Sequence, residues 1–166
     1  SYGIGQAAEI EILDSYISDC QKNGIFIVEN SSTLIDGCEI TRCALNGQFR
    51  GALQLSVQSA SGTNNITVAN SWLHDNEKQG FTAWALSPNG EIAPTFENNI
   101  IENNYTGIYL INSSGLFSNN VICNNFVEGN MDSGAGVMVS GASAMPIFTG
   151  NEISGNYAGF YIVSDA

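Results

Sequence analysis

T-F-E-N-N-I-I-E-N-N-Y-T-G-I-Y-L-I, Thr95 to Ile111, is a template that can be laid over five further stretches of this chain. In it an apolar residue, Phe96, stands five positions before an aliphatic, Ile101. Asn104 follows three positions after that aliphatic, and Gly107 opens a second short apolar run. The middle aliphatic recurs as Ile17, Ile40, Leu73, Ile101, Ile122 and Ile153, and the residue five before it as Ile12, Ile35, Val68, Phe96, Phe117 and Phe148. Three positions after it come Cys20, Cys43, Asn76, Asn104, Asn125 and Asn156, and the Gly before the apolar run is Gly24, Gly51, Gly80, Gly107, Gly136 and Gly159. Four columns held through six copies make a repeat.

Successive middle aliphatics are 23, 33, 28, 21 and 31 residues apart. A floor near 21 with variable excess is the signature of a coil of fixed perimeter that carries loops of different length. Apolar positions alternate with period two, and Asn, Gly and Ser interrupt every six or seven residues, which excludes helices. Each copy therefore supplies three short strands, and stacked coils place each strand about 4.8 Å from its equivalent in parallel sheets. The expectation is an all-β chain of about six coils, with residues 1–166 forming a single domain that is a section of a longer chain or an assembling subunit.

The runs N-N-I-I-E-N-N-Y-T-G-I-Y-L (Asn98 to Leu110), N-N-V-I-C-N-N (Asn119 to Asn125) and G-N-E-I-S-G-N-Y-A-G-F-Y-I (Gly150 to Ile162) resemble the right-handed single-stranded parallel β-helix repeat of the pectate-lyase-like superfamily. The resemblance covers Glu9 to Val163. It implies that the column Cys20, Cys43, Asn76, Asn104, Asn125 and Asn156 lies in a tight turn as a structural ladder, with the Asn residues taking left-handed backbone and pairing their amides between coils. The F-x-x-N pieces Phe96 to Asn99, Phe117 to Asn120 and Phe148 to Asn151 also resemble repeats of polymorphic outer-membrane autotransporters, but Gly134-Ala135-Gly136-Val137 stands where G-G-A-I accompanies them. The same coil serves lyases, hydrolases, adhesins and phage spikes, so the resemblance speaks for fold more than for function.

Composition narrows the partners. Of 166 residues 43% are hydrophobic and 12% charged, and four Lys and Arg stand against sixteen Asp and Glu, a net charge of −12. Such a field repels phosphate backbones and anionic lipid, so nucleic acid is not an expected partner; it also disfavours polyuronates. No run of 18 apolar residues exists, so no membrane insertion is expected. Low Lys with high Asn, Ser, Thr and Gly suggests an extracellular or cell-surface protein, and the start at Ser1 suggests a processed or excised chain. Neither end carries a capping amphipathic helix, which leaves end-to-end stacking open.

The longest insertions, Ala44 to Arg50, Leu86 to Ala93 with its turn Ser87-Pro88-Asn89-Gly90, and Phe126 to Ala135, all flank the strand after the Gly. That strand's outer surface should be walled by loops. Alternation from the inward Ile25, Ile108 and Phe160 directs outward Phe26 and Val28, Thr82 and Trp84, Tyr109 and Ile111, Met138 and Ser140, and Tyr161 and Val163. In coil two a one-residue slip gives Gln54 and Ser56 with Leu53, Leu55 and Val57 inward. This apolar face is the candidate binding or interface surface: Phe26, Gln54, Thr82, Trp84, Tyr109, Ile111, Met138 and Tyr161. Its aromatics suit either a homo-oligomer or neighbouring domain, or a glycan with Gln54, Thr82 and Asp132 as polar contacts; burial beneath the chain's own loops is the plain alternative.

Catalytic signals are thin. His74 is the only histidine, expected to point outward as an exposed surface residue, and no second His or Cys stands at ligand spacing. The carboxylate pairs Asp14 with Asp36, Glu97 with Glu102, and Glu128 with Asp132 are the candidates for acid–base work, but Lys22, Arg42, Arg50 and Lys78 do not stack beside them. No catalytic or metal residue is assigned, and no cofactor is expected beyond structural calcium on these carboxylates. Cys20 and Cys43, in one column, should have Cα atoms about 4.8 Å apart, within reach of a disulfide, although stacked free thiols pack equally well. Cys38 and Cys123 lack such a neighbour. N-x-S/T sequons fall at Asn30, Asn65, Asn104 and Asn112. The expected role is a non-enzymatic module for adhesion, spacing or self-assembly, with filament formation as one outcome; the alternative is a carbohydrate-active enzyme or glycan-binding module working through the loop-walled groove.

Overall fold

The computed structural model describes residues 8–29, 31–45, 51–60, 62–86, 91–126 and 134–163. Among them are strands but no helix, wound in six coils. Coil one supplies β1 (Ala8–Leu13), β2 (Tyr16–Ser18) and β3 (Ile25–Val28); coil two supplies β4 (Ser31–Asp36), β5 (Glu39–Thr41) and β6 (Gly51–Val57). Coil three has β7 (Thr63–Ala69), β8 (Trp72–His74), β9 (Gln79–Ala85) and the two-residue β10 (Glu91–Ile92). Coil four has β11 (Thr95–Glu97), β12 (Ile100–Glu102) and β13 (Thr106–Ile111). Coils five and six have β14 (Gly115–Ser118), β15 (Val121–Cys123) and β16 (Ala135–Ser140), then β17 (Pro146–Thr149), β18 (Glu152–Ser154) and β19 (Ala158–Val163). Equivalent strands pair in parallel in three sheets, ordered β1-β4-β7-β11-β14-β17, β2-β5-β8-β12-β15-β18 and β3-β6-β9-β13-β16-β19; β10 pairs with β7 beside the first.

The register reproduces two of the sequence columns residue for residue. Ile12, Ile35, Val68, Phe96, Phe117 and Phe148 are successive partners in the first sheet. Ile17, Ile40, Leu73, Ile101, Ile122 and Ile153 are successive partners in the second. These side chains fill the axis, and from Ile35 to Phe117 and Ile40 to Ile122 they are fully buried. Phe81, Phe96, Phe117 and Phe148 form a stack along it, with ring centroids 4.4, 5.4 and 4.7 Å apart. Each such ring removed from water contributes about 1.5–3 kcal/mol, and no coil could bury its ring alone, so the stack is the unit of stability.

Two details differ from the sequence reading. Left-handed backbone belongs to the residue before each ladder position: Asp75, Asn103 and Asn124 have φ of 51°, 54° and 53°, and Gly155 takes 66°. The ladder Asn itself supplies the amide, because the preceding left-handed residue turns the chain and aims the next side chain along the axis. In coil two, Gly51 pairs with Gln79, while Leu53 pairs with Phe81, so Ala52 and not Gly51 stands in the Gly column. At Gly107 that column is glycine for want of space: a Cβ there would lie 2.5 Å from the Gly136 carbonyl and 2.9 Å from Asn125 Nδ2.

A second ladder runs up the neighbouring corner. The N–H of Cys38 donates to Ser71 Oγ at 3.1 Å, that of Ser71 to Asn99 Oδ1, that of Asn99 to Asn120 Oδ1 and that of Asn120 to Asn151 Oδ1, the last three at 2.9 Å. Residues 46–50, the turn Ser87-Pro88-Asn89-Gly90, and Glu128 and Asp132 of the coil-five insertion lie outside the described residues, as do Asn30 and Arg50.

Candidate functional site

The outer face of the third sheet carries two straight columns. Phe26, Gln54, Thr82, Tyr109, Met138 and Tyr161 are successive partners, and so are Val28, Ser56, Trp84, Ile111, Ser140 and Val163. Leu53, Leu55 and Val57 point inward and are fully buried, so the slip in coil two is real. This register follows from the period-two alternation set by the axial aliphatics on either side.

The face is not a bare apolar stripe. Phe26 and Val28 are exposed, at 51% and 39%, but Gln54, Thr82 and Tyr109 keep only 7%, 0% and 9% of their surface, and Trp84, Ile111, Met138 and Tyr161 are half-buried. Gln54 is also engaged, since Asn23 Nδ2 donates to its Oε1 at 2.8 Å and to the Gly51 carbonyl at 2.6 Å. Thr82 lies close against Gly51, where an added Cβ would stand 2.8 Å from Thr82 N and 2.9 Å from Thr82 Oγ1. Both side chains are thus buried within the face and not open on its surface, where the sequence reading put them, and Thr82 Oγ1 has no hydrogen-bond partner. Asp132, the third polar contact of that reading, is outside the described residues.

What the face does form is a groove of about 450 Å³ over coils three to six, lined by Gln79, Tyr105, Thr106, Tyr109, Met138, Tyr161 and Val163. Its size lies in the range of small-molecule sites. Gln79, Thr106 and Tyr105 were not among the predicted site residues. Gln79 and Thr106 occupy the position just before the column Gly, where Asn23 stands in coil one; a recurrent polar residue there was the available signal. Gln79 is 6% exposed and its Oε1 has no hydrogen-bond partner. A buried carbonyl left in that state costs about 1–3 kcal/mol, and a ligand or water donating to it recovers that cost. Lys78 Nζ sits 5.3 Å from the Tyr105 ring centroid, so that ring faces a cation at the rim.

The family model for a right handed beta helix region matches residues 2–122 and again residues 93–166. The chain belongs to the right-handed β-helix family. Comparison with curated proteins and with solved structures gives no match.

Elsewhere on this β-helix the candidate acid–base groups are differently disposed from the sequence reading. His74 does point outward from β8, but it is buried, at 7% exposure, and not a free surface residue. Trp72 stacks on it with centroids 3.7 Å apart, Asp75 Oδ2 lies 2.8 Å from Nδ1, and Glu39 Oε1 of the preceding coil lies 3.1 Å from Nε2. Sequence could not show the last contact, because Glu39 is 35 residues away and only the stacking register brings it opposite Trp72. With both ring nitrogens occupied and no hydroxyl or thiol on either, the cluster is a cross-coil clamp without a nucleophile.

The paired carboxylates fare similarly. Asp36 Oδ1 accepts from Asn70 Nδ2 at 2.8 Å, and Glu102 Oε1 accepts from the Trp72 indole at 3.0 Å. Asp19 accepts both Nε and Nη2 of Arg42 at 2.8 Å, which holds its carboxyl down at about 2. Among the described residues no group of three His, Cys, Asp or Glu side chains is placed to hold a metal ion. Cys20 and Cys43 stack in the ladder column as free thiols, and burial above all pushes Cys43 up to about 11.

Proposed function

We propose that this β-helix is a non-enzymatic adhesion module of the extracellular or cell-surface kind, and that the groove over coils three to six holds a neutral carbohydrate chain. The observation that carries the reading is the groove's lining: three tyrosine rings, a buried carboxamide with an unpartnered Oε1 and, among the described lining residues, no carboxylate, with Lys78 a cation at its rim. Tyrosine offers an apolar face to the C–H side of a sugar ring and a hydroxyl to its rim, while Gln79 Oε1 accepts from a sugar hydroxyl. Hydrolysis would need two carboxyls flanking the bond. A net charge of −12 disfavours uronates, so the ligand is a neutral one. The stacked coils give the rod the stiffness that a spacer needs.

A glycan array followed by calorimetry on the retained oligosaccharide tests this reading. Expected is a neutral oligosaccharide held without any increase in reducing ends. Retention of none, or release of new reducing ends, overturns it.

A further inference from the structure

The amide ladder of the second corner does not run the full length of the stack. Asn156, Asn125, Asn104 and Asn76 are linked amide to amide, each Nδ2 donating to the next coil's Oδ1 at 2.8 to 3.0 Å. Below Asn76 the side-chain links stop, and the ladder ends on the backbone N–H of Cys43, which donates to Asn76 Oδ1 at 2.9 Å. The last rung, Cys43 over Cys20, has thiols in place of carboxamides.

Register holds these thiols together. Ile17 pairs with Ile40 and Ser18 with Thr41, and the Asp19 N–H still donates to the Thr41 carbonyl at 3.4 Å. The doubly bonded Arg42 and Asp19 side chains then tie the residues that immediately precede each cysteine. Parallel rungs are about 4.8 Å apart, inside the Cα separation that a disulfide spans. Cys43 Sγ touches the Thr41 carbonyl of its own coil at 3.3 Å and the Ile17 carbonyl of the coil below at 4.0 Å, and its side chain meets that of Cys20.

We propose that Cys20 and Cys43 are a redox-controlled staple: in an oxidising compartment they close a disulfide that supplies the missing rung and fastens coil one to the stack. Coil one is what the bridge fastens, because its rung at this corner, Cys20, carries no carboxamide to extend the ladder. Cys20, half-buried, is the thiol a reagent reaches; Cys43 is fully buried. The Cys20 thiolate attacks one sulfur of a low-molecular-weight disulfide such as oxidised glutathione and expels one glutathione thiolate. The Cys43 thiolate then attacks the Cys20 sulfur and expels the second. Two protein thiols give up two protons and two electrons, and one oxidised glutathione becomes two reduced ones. Because burial holds Cys43 high, this closing step quickens as pH rises toward 11.

The remaining cysteines are built-in controls. The first-corner residue of coil one, in the column of Cys38, is Ser15, and the Cys38 N–H donates to Ser71 Oγ on the other side. Cys123 is opposite Glu102 and Ser154. Neither has a thiol on an adjacent rung.

The test equilibrates the whole purified chain at pH 8.5 in glutathione buffers from reduced to oxidised, alkylates free thiols and maps the peptides by mass. Expected is one bridge, Cys20 to Cys43, with Cys38 and Cys123 alkylated, and amide exchange of β1 to β3 slowed on the order of tenfold against the reduced protein. Cys38→Ser should leave this unchanged and Cys20→Ser abolish it. Four alkylatable thiols at every ratio, a bridge through Cys38 or Cys123, or a bridge that leaves exchange in coil one unaltered would each overturn the proposal. Should Cys20→Ser fail to fold, the wild-type peptide map and exchange decide alone.

Discussion

Asn104 Nδ2 donates 3.0 Å to Asn125 Oδ1 and 3.0 Å to the Leu73 carbonyl, while Asn104 Oδ1 accepts both the N–H and the Nδ2 of Asn76. One carboxamide thus joins three successive coils, and all of its partners are buried. Asn104→Ala takes their acceptor from the Asn76 N–H and from one of the two Asn76 Nδ2 hydrogens, the other still donating to the Ile40 carbonyl, and takes the side-chain donor from the Leu73 carbonyl, at a site that is 1% exposed. Each buried orphan costs about 1–3 kcal/mol, and partial relaxation brings the whole to about 2–4 kcal/mol. Chemical denaturation read by circular dichroism measures it; a loss below about 1 kcal/mol would mean that the ladder is not a major source of stability.

The glycine column gives a prediction with an internal control. A Cβ on Gly107 meets the Gly136 backbone carbonyl at 2.5 Å, and backbone cannot swing away as a flexible side chain does. At Gly159 the nearest atom is Ile153 Cγ2 at 3.8 Å, an ordinary contact. Gly107→Ala should therefore lose about 2–4 kcal/mol while Gly159→Ala changes stability by less than about 1 kcal/mol. Equal losses in the two variants would show that glycine is needed for its backbone and not for the approach of the next coil.

What was legible in the sequence and what was not divide along one physical line. Ile101 and Phe96 could be placed because axial burial imposes the same demand on every coil, and a demand repeated six times outweighs local noise. The slip at Gln54 was readable for the same reason, since only one register buries Leu53 and Leu55. Exposure was not readable. Thr82 is hidden by Gly51 and His74 by Glu39, Trp72 and Asp75, contacts set by loops and by neighbouring coils whose lengths differ. Gln79 was missed because it stands at the strand's edge, before the Gly that the template used as its start.

Acid should find one identifiable contact. Asp19 ordinarily titrates near 3.8 and is held to about 2 by its bonds to Arg42, with Ser18 Oγ also donating. A carboxyl with a lowered folded-state value adds stability above its ordinary value, and that addition fades as pH falls from about 4 to 2. The pair is exposed, at 50% and 62%, so the effect is small and salt-sensitive. Arg42→Ala should flatten the acid limb of a melting-temperature profile between pH 4 and 2 without altering its slope near neutrality. An unchanged acid limb would assign it to other carboxyls.

The groove reading predicts unequal effects of two aromatic truncations in the same outward column. Tyr161 lines the groove, whereas Phe26 lies in coil one, away from its lining, at 51% exposure. If a sugar ring stacks within the groove, Tyr161→Ala removes about 1–2 kcal/mol of binding, roughly 5- to 30-fold in Kd, and Phe26→Ala leaves Kd within about twofold. Gln79→Ala discriminates further, because it deletes the acceptor without touching a ring, and should weaken ligands that present a hydroxyl there while sparing deoxy analogues. Equal weakening by Tyr161→Ala and Phe26→Ala would place the contact along the whole face, as an extended protein partner would, and not in the groove.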